Sequence, residues 1–131
     1  LPQFGIETRF VDPDHPEDLA AHVDSRTKLV FAESIGNPAL NVLDVPAWAD
    51  AAHALGLPLI LDNTVPTPYL ERVFDLGADI VVHSATKYLA GNGTVMGGLI
   101  VDAGRHRSVR ISCSPVAVIA RPRPEPSPPC T

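Results

Sequence analysis

The chain has 131 residues, a formal net charge of −5 and 45% hydrophobic residues, which suits one domain with a real core rather than a disordered chain. No apolar run approaches the ~20 residues of a membrane span, and no basic stretch leads into an apolar one as in a secretory signal. These features argue against a membrane protein and give the expectation of a cytoplasmic one. The charge is unevenly divided: residues 1–102 hold 5 Lys+Arg and 14 Asp+Glu, whereas residues 103–131 hold 5 Arg and one Glu. The acidic body gives no electrostatic reason to expect nucleic-acid binding, and the basic tail lacks aromatic residues for base stacking.

The pattern alternates strands and helices. Phe4 to Val11 reads as a strand and Pro16 to Asp24 as a helix with acidic residues in its first turn. Lys28 to Ala32 reads as a strand. Pro46 to Leu55 is the clearest helix, with Asp44 near its N-cap, Pro46 in its first turn and Gly56 as its stop. Leu57 to Leu61 is a strand, Tyr69 to Leu76 a short helix, and Asp79 to His83 and Gly98 to Val101 are further strands. The alternation predicts an α/β fold with a largely parallel sheet. The short, continuously apolar strands suit a sheet covered on both faces.

The chemistry concentrates after two of these strands. Asp62 ends the run Leu59-Ile60-Leu61, and Lys87 follows His83-Ser84-Ala85-Thr86. Ligands in open α/β sheets bind at the carboxyl ends of strands. An amine that can condense with an aldehyde, an acid that can hold a proton on a pyridine nitrogen, and hydroxyls that can hold a phosphate are what pyridoxal 5'-phosphate requires. Taken alone, Asp62 can equally cap the next turn, and Lys87 can be a solvated surface lysine. The five histidines show no close metal-ligand spacing, so no metal site is expected. His53 reads as a partly exposed helix histidine, His83 as a packed strand residue, and Trp48 and Tyr69 as core or interface. Glu33, after an apolar strand, can border the site.

Linked motifs carry a family resemblance. Glu33-Ser34-Ile35-Gly36-Asn37-Pro38, Asp62-Asn63-Thr64, Thr67-Pro68, Gly77-Ala78-Asp79-Ile80-Val81-Val82-His83-Ser84 and Thr86-Lys87-Tyr88, then Gly91-Asn92-Gly93 and Gly97-Gly98, occur in order. Over roughly residues 3 to 102 the chain resembles the Cys/Met-metabolism family of pyridoxal phosphate (PLP) enzymes. Within the family it most resembles the O-acetylhomoserine sulfhydrylases.

The resemblance implies part of the large PLP-binding domain of a fold-type I transferase, a mostly parallel sheet flanked by helices. It implies Lys87 as the Schiff-base lysine, Asp62 as partner of the pyridine nitrogen, and Ser84 and Thr86 as phosphate contacts. Thr64 and Asn37 would lie near the ring and its 3-hydroxyl side. The implied activity replaces the γ-acetate of O-acetyl-L-homoserine with sulfide or a thiol in homocysteine and methionine biosynthesis. The implied assembly is a homotetramer whose sites are completed by a neighbouring subunit. A cystathionine synthase, a γ-lyase and an inactive truncated fragment are the alternatives. Asn92 departs from the family's usual Gly-His-Gly, which bears on the conformation of that loop.

The chain is short for such an enzyme and is expected to be a fragment. Residues 103–131 are expected to stand apart as a proline- and arginine-rich tail, either disordered or the product of a reading-frame shift. Six of the 14 prolines and both cysteines lie there, a density that argues against helix or central strand, and two tail cysteines imply no disulfide framework.

Overall fold

The computed structural model describes residues 1–105 and the backbone of 116–120. A 3-10 turn at Pro2–Phe4 precedes β1 (Glu7–Val11); a second, Pro16–Asp18, runs into α1 (Leu19–His22). Next come β2 (Thr27–Glu33), α2 (Val45–Ala54), β3 (Leu59–Asp62), α3 (Thr67–Leu70), β4 (Ile80–Ser84), β5 (Gly98–Asp102) and β6 (Val116–Ala120). The six strands form one sheet in the order β1-β6-β2-β3-β4-β5. All neighbours are parallel except β4 and β5, which are antiparallel. The expected α/β fold with a largely parallel sheet is what the chain forms.

The core lies on one face of that sheet. Alternate strand residues Val30 and Ala32 of β2, Leu59 and Leu61 of β3, and Val81 of β4 are buried in one cluster with Leu19 of α1 and Val45, Trp48, Ala49 and Ala52 of α2. The residues between them, Phe31, Ile60, Ile80 and Val82, are only half-buried. Among the described residues the helices therefore cover one face, where both were expected to be covered. Apolar strand runs show that a second face can be covered; they do not supply the element that covers it.

Local chemistry explains the best-defined helix. The Asp44 carboxylate accepts the Ala47 N–H at 3.1 Å, closing the N-terminus of α2, and Gly56 ends the helix with φ 70°. Trp48, fully buried, donates its indole N–H to the Pro13 carbonyl at 2.8 Å and ties α2 to the segment after β1. Gly77 has φ 110°, and a Cβ there would come within 2.6 Å of the Ala49 Cβ, so only glycine lets the chain pass under α2 into β4.

Two helices are shorter than expected. The segment from Pro16 is helical only to His22, and its first three residues are 3-10. The helix expected over Tyr69–Leu76 is the single turn α3. Glu71 turns extended, with φ −140° and ψ 115°, and its carbonyl accepts a tertiary hydrogen bond from Asn63 Nδ2 at 3.0 Å. A polar group from β3 thus takes the place of the next helical bond.

The tail departs from expectation at one segment. Val116–Ala120 is a strand inside the sheet, parallel to both β1 and β2. It is a five-residue proline-free apolar run whose flanking prolines, Pro115 and Pro122, fall outside it, so proline density over the whole tail was the wrong measure for this stretch. Residues 106–115 and 121–131, with both cysteines and the clustered prolines, lie outside the described residues.

Candidate active site

Parallel pairing aligns the carboxyl ends of β2, β3 and β4. Glu33 is in register with Asp62, and Asp62 with Val82, two residues before Ser84. The sheet thereby collects two carboxylates, two hydroxyl-bearing loops and a lysine at the edge where open α/β sheets bind ligands.

Asp62, Thr64 and Ser84 are joined directly. Asp62 Oδ1 accepts the Thr64 N–H at 2.9 Å and the Thr64 hydroxyl at 2.5 Å. The Thr64 Oγ1 in turn accepts the Ser84 N–H at 2.8 Å. The carboxylate rotamer is thus set by the following turn, and that turn is stitched to the end of β4. Both bonds to Asp62 fall on Oδ1, which leaves Oδ2 suited to an incoming N–H donor. The strand-cap role and the ligand-binding role of Asp62 are compatible, one oxygen serving each.

Thr86 and Lys87 lie in the loop after β4. The Lys87 side chain is exposed, while its N–H donates to the Ser84 carbonyl at 3.1 Å. The Thr86 hydroxyl donates to the Gly97 carbonyl at 3.3 Å and accepts the Gly97 N–H at 3.0 Å. This hydroxyl closes the 86–97 loop here. Asn92 shapes the same loop: its Oδ1 accepts the Thr94 N–H and hydroxyl, both at 3.1 Å. Asn37 is exposed, and its N–H donates to Glu33 Oε2 at 3.2 Å. Among the described residues no hydrogen bond joins Asn37 or Glu33 to the Asp62–Thr64–Ser84 group, so these two border the edge without being built into it.

The donor set fits pyridoxal phosphate. A half-buried carboxylate with a free oxygen, hydroxyls and N–H groups at a strand end, and an accessible amine on the next loop are the groups such a cofactor needs. Among the described residues no cluster of three or more metal-ligating side chains occurs, and no helix is long and apolar enough to cross a membrane.

Sequence reading overlooked the layer behind Asp62. Asn63 is 1% exposed and lies on the core side. Its Oδ1 accepts the Ser34 hydroxyl at 2.8 Å, and its Nδ2 donates to the Glu71 carbonyl. The alternation Leu59, Leu61, Asn63 was the available signal, because it puts Asn63 on the buried face. Burial pushes the Glu71 carboxyl above its ordinary value, with Ser34 acting in the opposite direction. His83 is buried, as expected for a packed strand residue, and its Nδ1 has no hydrogen-bond partner among the described residues. His53 Nε2 meets Oδ2 of the buried Asp79 at 2.8 Å, and the same oxygen accepts the Leu59 N–H. That pair sits at the opposite ends of β3 and β4 from Asp62 and acts as a structural clamp. Trp48 is core, whereas Tyr69 is exposed.

Comparison with known proteins agrees with this chemistry. The family described as Cys/Met metabolism PLP-dependent enzyme matches residues 1–120, beyond Asp102, where the sequence motifs end. The chain is 56% identical over 106 residues to a homocysteine synthase of Schizosaccharomyces pombe, covering 80% of this chain and 25% of that protein. It is 47% identical over 104 residues to an O-acetyl-L-homoserine sulfhydrylase of Leptospira meyeri, covering 79% and 24%. Among solved structures, a Campylobacter jejuni protein described as an O-acetylhomoserine (thiol)-lyase, bearing a pyridoxyl-lysine phosphate, superposes with TM-score 0.77 at 38% identity, covering 80% and 25%. A cystathionine gamma-lyase of Lactobacillus plantarum, complexed with L-serine, gives TM-score 0.62 at 43% identity, covering 66% and 24%. The chain spans about a quarter of the length of the curated relatives it matches. The family match over residues 1–120, with 56% identity to the Schizosaccharomyces pombe relative over 106 residues, makes this chain a member of the Cys/Met-metabolism family of PLP-dependent enzymes.

Proposed function

We propose that this chain supplies the cofactor-holding part of an enzyme that replaces the γ-acetate of O-acetyl-L-homoserine with sulfide or a thiol. The observation that carries the reading is the Asp62–Thr64–Ser84 hydrogen-bond chain, supported by the similarity to homocysteine synthase and O-acetylhomoserine sulfhydrylases. Asp62 would hold the pyridine nitrogen through Oδ2, Ser84 and Thr86 the phosphate, Lys87 the aldehyde carbon, and Thr64 and Asn37 would border the ring. When bound, pyridoxal phosphate supplies an electron sink for the pair released as the substrate Cα–H bond breaks.

The protein's own residues do the rest. Asp62 would hold the proton at the pyridine nitrogen through Oδ2. Thr64 holds that carboxylate in one rotamer. Lys87, exposed on its loop, is free to reach the substrate and move protons at Cα and Cβ as general acid and base. Thr86 would donate to the phosphate by turning its hydroxyl proton away from the Gly97 carbonyl. By resemblance, the acting enzyme would be a cytoplasmic homotetramer.

Sodium borohydride treatment of the full-length enzyme with added cofactor, followed by peptide mapping, tests the site. The pyridoxyl label is expected on Lys87, and label on Lys28 would overturn the assignment. The 43% identity to cystathionine gamma-lyase favours a second reading, γ-elimination. Competition between O-acetyl-L-homoserine with sulfide and L-cystathionine separates the two.

A further inference from the structure

The Asp62 carboxylate is held from the front by Thr64, but its peptide is held from behind. Ser34 N–H donates to the Asp62 carbonyl at 3.0 Å, and the Ser34 hydroxyl lies 3.3 Å from the same oxygen and 2.8 Å from Asn63 Oδ1. Asn63 N–H donates to the Val82 carbonyl at 3.0 Å, and its Nδ2 donates to the Glu71 carbonyl. The buried Asn63 side chain thus joins the residue after β2 to the chain after α3, and its backbone N–H pairs with β4, at the peptide next to Asp62. Both ends of the amide are satisfied, and Ser34 and Asn63 are 0% and 1% exposed. Satisfied buried networks of this kind rigidify the backbone they cross.

From this geometry we infer that Asn63, with Ser34, is a positioning residue that fixes the Asp62 backbone so that Oδ2 faces the pyridine nitrogen. Asn63 touches neither cofactor nor substrate in this role. The inference rests on the proposed role of Asp62 and adds to it a requirement one layer deeper. Small displacements of a charged partner cost affinity steeply, because charge-assisted hydrogen bonds depend on distance and angle.

A double-mutant cycle in the full-length enzyme tests this, with the pyridoxal phosphate dissociation constant read by absorbance titration. Asn63→Leu keeps the number and branching of side-chain heavy atoms and removes both side-chain bonds. It is expected to raise the dissociation constant about tenfold. In an Asp62→Asn background the same substitution is expected to change it less than about twofold, because the group it positions is gone. Equal effects in both backgrounds would show a merely structural role and overturn the inference while leaving Asp62 in place. An Asp62→Asn enzyme with unchanged affinity would overturn the site reading and the inference together. Ser34→Ala, which removes one hydroxyl, provides the same cycle in a milder form should Asn63→Leu fail to fold. Its expected effect is about threefold with Asp62 present and absent without it, and additivity again refutes positioning.

Discussion

Thr64→Val is the most informative perturbation of the front of the site. Valine keeps the shape of threonine and removes only the hydroxyl. That hydroxyl accepts the Ser84 N–H at 2.8 Å and donates to Asp62 Oδ1 at 2.5 Å. Losing a hydrogen bond to a charged group costs about 1.5–3 kcal/mol, and a stranded N–H about 1–3 kcal/mol. Thr64 is half-buried, so water can reach part of the gap, and the Thr64 N–H still donates to Asp62. The net cost should therefore lie near the lower end, about 2 kcal/mol, or roughly thirtyfold in cofactor affinity if the loss falls on the bound state. Thr64→Ser retains both bonds and should stay within about threefold of wild type. The assay is absorbance titration of the full-length enzyme with pyridoxal phosphate. Equal affinities for the valine and wild-type enzymes would refute the claim that this hydroxyl links acid and loop. A serine variant as weak as the valine one would show that the methyl group, not the hydroxyl, matters.

Asp62→Ala should abolish turnover and weaken cofactor binding by about 3–5 kcal/mol, the usual result of stripping one member from a buried charge pair; turnover near normal would remove Asp62 from its role. Ser84→Ala should raise the pyridoxal phosphate dissociation constant by about tenfold to a hundredfold without preventing saturation, and an unchanged titration would exclude a phosphate contact there. Gly77→Ala should lower the unfolding midpoint, since both its φ of 110° and the nearby Ala49 Cβ oppose a side chain; an unchanged midpoint would show that the chain shifts freely under α2. The Arg9 guanidinium, 2.7 Å from Asp24, holds that carboxyl well below its ordinary range. A depressed carboxyl stabilises the fold above its unfolded value and loses that contribution as pH falls toward its folded one. Asp24→Asn should accordingly flatten the loss of stability below about pH 4 in acid unfolding curves, and an unaltered slope would show that the pair contributes nothing measurable.

The sequence by itself determined the class of fold and pointed to the candidate site residues. Alternating apolar runs and caps set strands and helices in an order that suits a largely parallel α/β sheet. The α2 boundaries were written in Asp44, Pro46 and Gly56, because capping is a contact between near neighbours in the chain. Asp62 stands where an apolar run stops, and Ser84 and Lys87 follow closely on another, which is what made them legible. Tertiary structure decided what distant residues do to one another. It ended α3 at Leu70 by giving the Glu71 carbonyl to Asn63, and it placed Val116–Ala120 between β1 and β2. It also engaged the Thr86 hydroxyl with Gly97, left Asn37 with Glu33 at the margin, and joined Thr64 to Ser84. The side-chain bonds among these span separations of 4 to 20 residues, and no local pattern encodes them. Their partners meet only once the strands have registered, so the brace behind Asp62 becomes visible when β2, β3 and β4 lie side by side.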